Sequence, residues 1–204
     1  MSLVSVATLR EYLPEIGSST AADTELTALI LRVETFIARW LGYPPPSSSS
    51  DTPTLNSSTY VLYLDGPLKD DRLVLQLPVK PISALNSIHS DTERRYESSS
   101  LLTLSNIDID AVNGRLIIKP WTSTAFDSGY RSLKVNVTAG YDGTPPTDLV
   151  HAICVWCSQL HRQKQNQGKE QISQQGSSVR LSMKSMPSEV KEILYKFRVP
   201  LLVL

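Results

Sequence analysis

The sequence predicts an α+β protein in which an antiparallel β module is inserted into a helical core. Two segments, residues 22–42 and 147–167, carry broad apolar faces at helical spacing. Between them, from Thr59 to Gly140, short runs rich in β formers are bounded by Gly, Pro, Asp or Ser, which is typical of strands. Neither apolar helix has a local partner, so we expect the two helices to pack on each other.

Two helices are predicted before the first proline-rich stretch. Ser5 is a suitable N-cap for a short helix that runs to Leu13 and ends before Pro14. The longer helix, over residues 22–42, ends at Gly42, a residue type common after helix C-termini. Its apolar face consists of Leu26, Leu29, Ile30, Val33, Phe36, Ile37, Trp40 and Leu41.

A strand-rich region follows the loop or linker predicted over residues 44–58, "PPPSSSSDTPTLNSS". Asn113 and Gly114 lie between alternating apolar residues and predict a hairpin with a two-residue type I′ turn. Roughly six to eight short strands at this spacing favour a small antiparallel sandwich or barrel. The predicted strands are "TYVLYLDG" (59–66), "RLVLQLP" (72–78), "PISALNSIHS" (81–90), the hairpin within 107–121 and "SLKVNVTAG" (132–140).

The chain returns to helix after Pro145 and Pro146, where Thr147 is a suitable N-cap. From Leu149 to Leu160 apolar residues cover almost the whole circumference, so other elements must surround this helix. A polar stretch then leads to a lone strand predicted over 177–183 and a last short helix over 187–197.

These elements predict a division of the chain into a helical part and a β part. The helical core with its C-terminal extension comprises residues 1–43 and 141–204, the inserted β module residues 59–140, and the linker residues 44–58. The contact between the two long helices is expected to centre on Phe36, Ile37, Trp40, Ile153, Trp156 and Leu160.

Composition excludes several classes of function. The 204 residues include 20 basic and 20 acidic ones, without a long run of either sign, so strong electrostatic binding to nucleic acid is not expected. No N-terminal signal and no apolar run of about 20 residues is visible, which argues against secretion and membrane insertion. Two closely spaced cysteines favour a reducing cytosol over a disulfide framework.

Side chains that carry chemistry are present but do not form a recognisable site. His151, Cys154, Cys157 and His161 fall on one helix, which cannot surround a metal tetrahedrally, so we expect neither a metal nor a cofactor. No phosphate loop, dinucleotide fingerprint or nucleophile elbow occurs. The sequence therefore predicts no catalytic residues and no enzyme.

Four stretches, in their order and spacing, resemble the head–tail connector (head-completion adaptor) proteins of tailed bacteriophages and prophages. The first resembles the family's early amphipathic helix, the second its strand and "LPxxPI" turn, the third its glycine hairpin before a Trp, and the fourth its passage into the long helix. They are "ELTALILRVETFIARWLGYP" (25–44), "LDGPLKDDRLVLQLPVKPISALNSI" (64–88), "NGRLIIKPW" (113–121) and "VNVTAGYDGTPPTDLVHAICVWCSQL" (135–160).

The resemblance implies a structural protein of the virion. Family members form a ring, usually of twelve copies, below the portal protein, where they extend the DNA channel and support the next neck or tail-completion protein. DNA is then only a non-specific passing cargo, and the protein is found in the host cytoplasm during assembly. The family's C-terminal segment often contacts the portal, which makes the apolar residues here candidates for docking on the portal or a neighbouring subunit: Val190, Ile193, Leu194, Phe197, Leu201, Leu202 and Leu204.

Two other classes remain open from the residues alone. A β-module binding or virion decoration protein, for example one that binds carbohydrate, would expose an aromatic platform on its sheet. The candidates for such a platform are Tyr60, Tyr63, Tyr96, Trp121 and Tyr130. A small hydrolase would need two carboxylates that face each other across a cleft, and Asp108 and Asp110 are among the candidates.

Overall fold

The computed structural model describes residues 2–17, 20–48, 52–67, 73–164, 171–174, 177–180 and 186–199. The chain is a mixed α/β protein, as predicted. Its helices are α1 (Val6–Arg10), α2 (Asp23–Leu41), α3 (Thr147–Lys164) and α4 (Ser188–Tyr195). Its strands are β1 (Ser58–Gly66), β2 (Val74–Gln76), β3 (Ile82–Ser90), β4 (Ile107–Asp110), β5 (Arg115–Ile118), β6 (Gly129–Ala139), β7 (Gln171–Gln174) and β8 (Ser177–Arg180).

The chain divides into two compact units. Of the described residues, those within 1–36 and 145–197 form the helical unit, and those within 37–144 together with residues 198–199 form the β unit. The division falls inside α2, so this one helix contributes its first fourteen residues (23–36) to the helical unit and its last turn to the β unit.

In the helical unit, α2 and α3 run antiparallel, since the start of α2 contacts the end of α3. Glu25 accepts a hydrogen bond from Lys164 over 2.7 Å, and the Phe36 and Trp156 rings meet edge to face with centroids 5.1 Å apart. No helix in the described part of the chain is long and apolar enough to cross a membrane.

The aromatic pair corrects one predicted core residue. Ile153 and Trp156 are buried, as is Ile37 in the β unit, and Trp40 and Leu160 are half-buried. Phe36, however, is 54% exposed, so the prediction that it belongs to the interior is wrong. The helical period assigns Phe36 to the apolar face, but its ring meets the Trp156 ring and still exposes half of its surface.

Helices α1 and α4 both contact α3. In the segment that follows α1, the Tyr12 hydroxyl lies 2.9 Å from Nδ1 of His151, and Glu15 accepts a hydrogen bond from Arg162 over 2.8 Å. On α4, Val190 and Leu194 are fully buried. The sequence predicts that α3 is apolar around its whole circumference and must be surrounded by other elements. Part of that surface is covered by α4, from the C-terminal region of the same chain.

The β unit contains two three-stranded antiparallel sheets. β6 lies between β1 and β3 in one sheet, and β5 lies between β2 and β4 in the other. Neither closes into a barrel, because three strands leave two open edges and are too few to enclose an interior. The sandwich or barrel that the sequence predicts is thus reduced to two small sheets, while β7 and β8 form a separate pair in the other unit.

The hairpin predicted at Asn113 and Gly114 is confirmed as the β4–β5 pair, but the predicted two-residue type I′ turn is wrong. Asp110 pairs with Arg115, so four residues, not two, form the connection. Only Gly114 has a positive φ, of 71°. The Asp110 carboxylate accepts hydrogen bonds from the backbone and side-chain nitrogens of Asn113, which stabilises the wider turn.

Candidate functional site

A pocket of about 340 Å³ opens on the β unit. Its walls come from the β1–β6–β3 sheet and from the loop that follows β3. The sheet supplies Tyr63 on β1 and Tyr130 and Arg131 on β6, and the loop supplies Arg94 and Tyr96. Three tyrosine rings and two guanidinium groups thus line one concave surface.

The rings and cations of the pocket contact one another. The Tyr63 and Tyr96 rings lie 5.5 Å apart. The Arg131 guanidinium lies 5.2 Å from the Tyr63 ring centroid, and the Lys134 ammonium, opposite Tyr63 across the strand pair, lies 5.9 and 5.6 Å from the two rings. Cation–π attraction of this kind orients a positive charge without neutralising it.

The backbone around the pocket is held in an unusual conformation. Arg94, Tyr96 and Arg131 are the non-glycine residues with positive φ in the described part of the chain, at 61°, 50° and 50°. The Asp91 carboxylate accepts backbone hydrogen bonds from Tyr96, Glu93 and Arg95, and these lower its pKa.

A second acceptor fixes the other wall, because Asp65 accepts from the Arg131 backbone nitrogen over 2.7 Å. The Tyr96 hydroxyl donates to the Arg131 carbonyl and ties the two walls together. Positive φ at non-glycine residues costs energy and tends to occur at binding sites.

Three of the five predicted platform aromatics therefore meet in one pocket. Tyr60 does not, since it is fully buried, and Trp121, at 77% exposed, lies elsewhere. The arginines were missed by sequence reasoning. Their signal was the adjacency of Arg and Tyr in both "RRY" (94–96) and "YR" (130–131).

The predicted docking segment is only partly available. Val190 and Leu194 are buried within the chain, so as folded they present no surface to a partner, whereas Ile193 and Phe197 are half-buried. The short helix could not be stable alone, and it packs against α3 instead of remaining separable. Leu201, Leu202 and Leu204 lie outside the described residues.

The Cys and His residues of α3 are not arranged as a metal site. Among the described residues, no three His, Cys, Asp or Glu side chains are grouped as metal ligands. Burial raises the pKa of Cys154 to about 11 and raises that of Cys157 as well. That zinc does not bind remains a prediction, which metal analysis of protein purified without chelator would check.

Both thiols are expected to be inert in the folded protein. A thiol reacts as its thiolate, and an ordinary cysteine has a pKa of about 8.5. Because Cys154 and Cys157 are fully buried with raised pKa values, a disulfide reagent at about pH 8 should label neither until denaturant is added. Labelling of either thiol at the rate of a free cysteine in native protein would contradict this.

Asp108 and Asp110, two of the carboxylates that a hydrolase could use, lie on the same strand, β4. Asp108 lies 3.4 Å from the Lys119 ammonium, and hydrogen bonds from Asn113 hold the pKa of Asp110 below its usual range. A carboxyl group with a lowered pKa, as at Asp110, is a poor general acid at neutral pH.

Comparison with known proteins identifies the class. The family model described as "Head completion protein" matches residues 2–199. The chain therefore belongs to the head completion protein family, whose members are structural proteins and not enzymes. No curated protein sequence matches the chain.

Two solved structures share the fold. A chain from "Virion of native gene transfer agent (GTA) particle" is 16% identical, with a TM-score of 0.56 over 96% of this chain and 89% of that one. A chain from "Neck of empty GTA particle computed with C6 symmetry" is 14% identical, with a TM-score of 0.52 over 97% of this chain and 94% of that one.

Proposed function

We propose that this protein forms a ring in the neck of a phage-like particle, directly below the portal protein. In that position it extends the DNA channel and provides the platform for the next neck or tail-completion protein. The observation that carries the proposal is the family match, which spans residues 2–199 and leaves almost none of the chain for another function.

The copy number proposed is twelve. The neck of the gene transfer agent particle that contains a similar chain was computed with sixfold symmetry. Sixfold symmetry accommodates rings whose copy number is a multiple of six. A ring requires head-to-tail contacts between two different surfaces of each subunit. The exposed edge strands of the two small sheets and the exposed aromatic residues of the β unit are surfaces available for such contacts.

The charge balance suits a channel protein. With 20 basic and 20 acidic residues, the chain has no net charge with which to hold DNA strongly, so DNA slides past without specific recognition. We assign docking on the portal to those residues of the C-terminal region that α4 does not bury within the chain. The candidate residues are Ile193, Phe197 and the apolar end of the chain, residues 201–204.

Depletion of the protein from particle-producing cells tests this function. Without the ring, heads fill with DNA but offer no platform, so microscopy should show filled or leaking heads and free tails. Complementation with the intact gene should restore joined particles. Normal tailed particles in the absence of the protein would refute the proposal.

A further inference from the structure

The pocket on the β unit contains basic groups that the protein itself does not neutralise. In the part of the chain that the structure describes, no carboxylate pairs with Arg94, Arg131 or Lys134. The neighbouring Arg95 differs, because it forms an ion pair with Glu93 over 2.9 Å. The pocket thus has a concentrated positive charge, while the chain as a whole is neutral.

The same pocket also exposes aromatic surface. Tyr130 is 69% exposed and Tyr63 is 43% exposed. Both belong to strands, β6 and β1, in which other side chains are buried. Exposed tyrosines beside arginines are the composition that protein interfaces favour, since both side chains combine apolar contact with hydrogen bonding.

We propose that this pocket binds an acidic segment of another polypeptide. A carboxylate of that segment accepts hydrogen bonds from Arg94 and Arg131, and an adjoining apolar or aromatic side chain packs on Tyr130. Planar guanidinium groups pair with carboxylates bidentately, which gives both strength and orientation. The backbone of the two arginines is already fixed, so binding costs little backbone freedom.

A protein segment fits the surroundings better than DNA does. Close to the pocket residues in sequence are three carboxylates, those of Asp65, Glu93 and Glu97. These negative charges would repel an extended polyanion. Binding to duplex DNA also needs several phosphate contacts along a basic stripe. A single acidic side chain, by contrast, requires only the pocket itself.

Substitution by asparagine removes the two charges with the least disturbance. Asparagine tolerates positive φ better than other non-glycine residues, so Arg94→Asn combined with Arg131→Asn should leave the loop conformation intact. Arg95→Asn is the matched control, because it removes a charge from the same loop without touching the pocket. All three proteins should show the same circular dichroism and thermal midpoint.

The binding assay uses fluorescence anisotropy with three labelled probes. They are an end-blocked peptide Gly-Ser-Leu-Asp-Gly-Tyr with one acidic side chain, its amide twin Gly-Ser-Leu-Asn-Gly-Tyr, and a short oligothymidylate. Wild type and the Arg95→Asn control should bind the acidic peptide, and the double variant should bind it at least about tenfold more weakly. The amide twin and the oligothymidylate should bind weakly to all three.

Several results would overturn the proposal. They are equal binding of the acidic and amide peptides, no binding of the acidic peptide to wild type, or an unchanged affinity of the double variant. An oligothymidylate that binds more tightly than the peptide and loses affinity in the double variant would assign the pocket to nucleic acid instead. None of these results bears on whether the protein joins heads to tails, which the depletion experiment measures separately.

Discussion

Replacement of Gly140 by alanine is expected to lower the free energy of unfolding by about 3 kcal/mol or more. Gly140 directly follows the last residue of β6 and has a φ of 108°, which alanine rarely adopts. A Cβ at this position would lie 2.5 Å from the Asn56 carbonyl oxygen and 2.9 Å from that of Leu55. Both obstacles are backbone atoms, so the strand end itself must shift.

Gly143→Ala is the matched control. This glycine also has a positive φ, of 71°, but a Cβ would meet nothing within 4 Å. Its replacement by alanine should therefore lower the free energy of unfolding only by the cost of a positive φ, about 1 kcal/mol. Denaturant unfolding of the two variants checks the difference, and equal losses in both would show that close packing at Gly140 is unimportant.

Trp156→Ala is expected to have the second large effect, a loss of about 3–5 kcal/mol. Trp156 is only 7% exposed and contacts the Phe36 ring from the opposite helix. Phe36→Ala should cost much less, about 1–2 kcal/mol, because half of that side chain is already in water.

The double variant measures the contact itself. If the edge-to-face pair matters, the two losses should be non-additive by about 0.5–1.5 kcal/mol. Thermal or chemical unfolding gives all three values. A Trp156→Ala protein that loses no more stability than Phe36→Ala would contradict the assigned packing of α2 on α3.

These two sites illustrate what the sequence predicts well. Helical periodicity predicted residues 22–42 and 147–167, and the helices observed are Asp23–Leu41 and Thr147–Lys164. The Gly140 stop and the two prolines predicted the point at which the β region ends. Local patterns of this kind depend on neighbouring residues only, which is why they could be interpreted without a structure.

The errors concern contacts between distant residues. Periodicity gives the direction in which Phe36 points, but not how much of the ring its partner covers. The position of α4 on α3 likewise depends on residues far apart in the sequence, such as Asp148 and Lys196 just after α4, which pair although they are 48 positions apart. The turn at residues 111–114 was misjudged for a different reason, because the Asp110 side chain competes for the turn's hydrogen bonds.

The pocket was predictable only in part. Tyr63, Tyr96 and Tyr130 were named as exposed aromatics, but their meeting point depends on the pairing of β1 with β6 and on the Asp91 loop. The arginines beside them carry no periodic signal. The proposed role in a particle neck came from the family resemblance rather than from the chemistry of any residue.

Electron cryomicroscopy of the neck of the native particle tests the proposed role most directly. We expect a ring of twelve copies of this chain directly below the portal, enclosing the DNA channel, with the C-terminal region of each copy against the portal. The protein would not be a neck adaptor if its density lay on the outer surface of the head or if no ring of this chain stood between portal and tail.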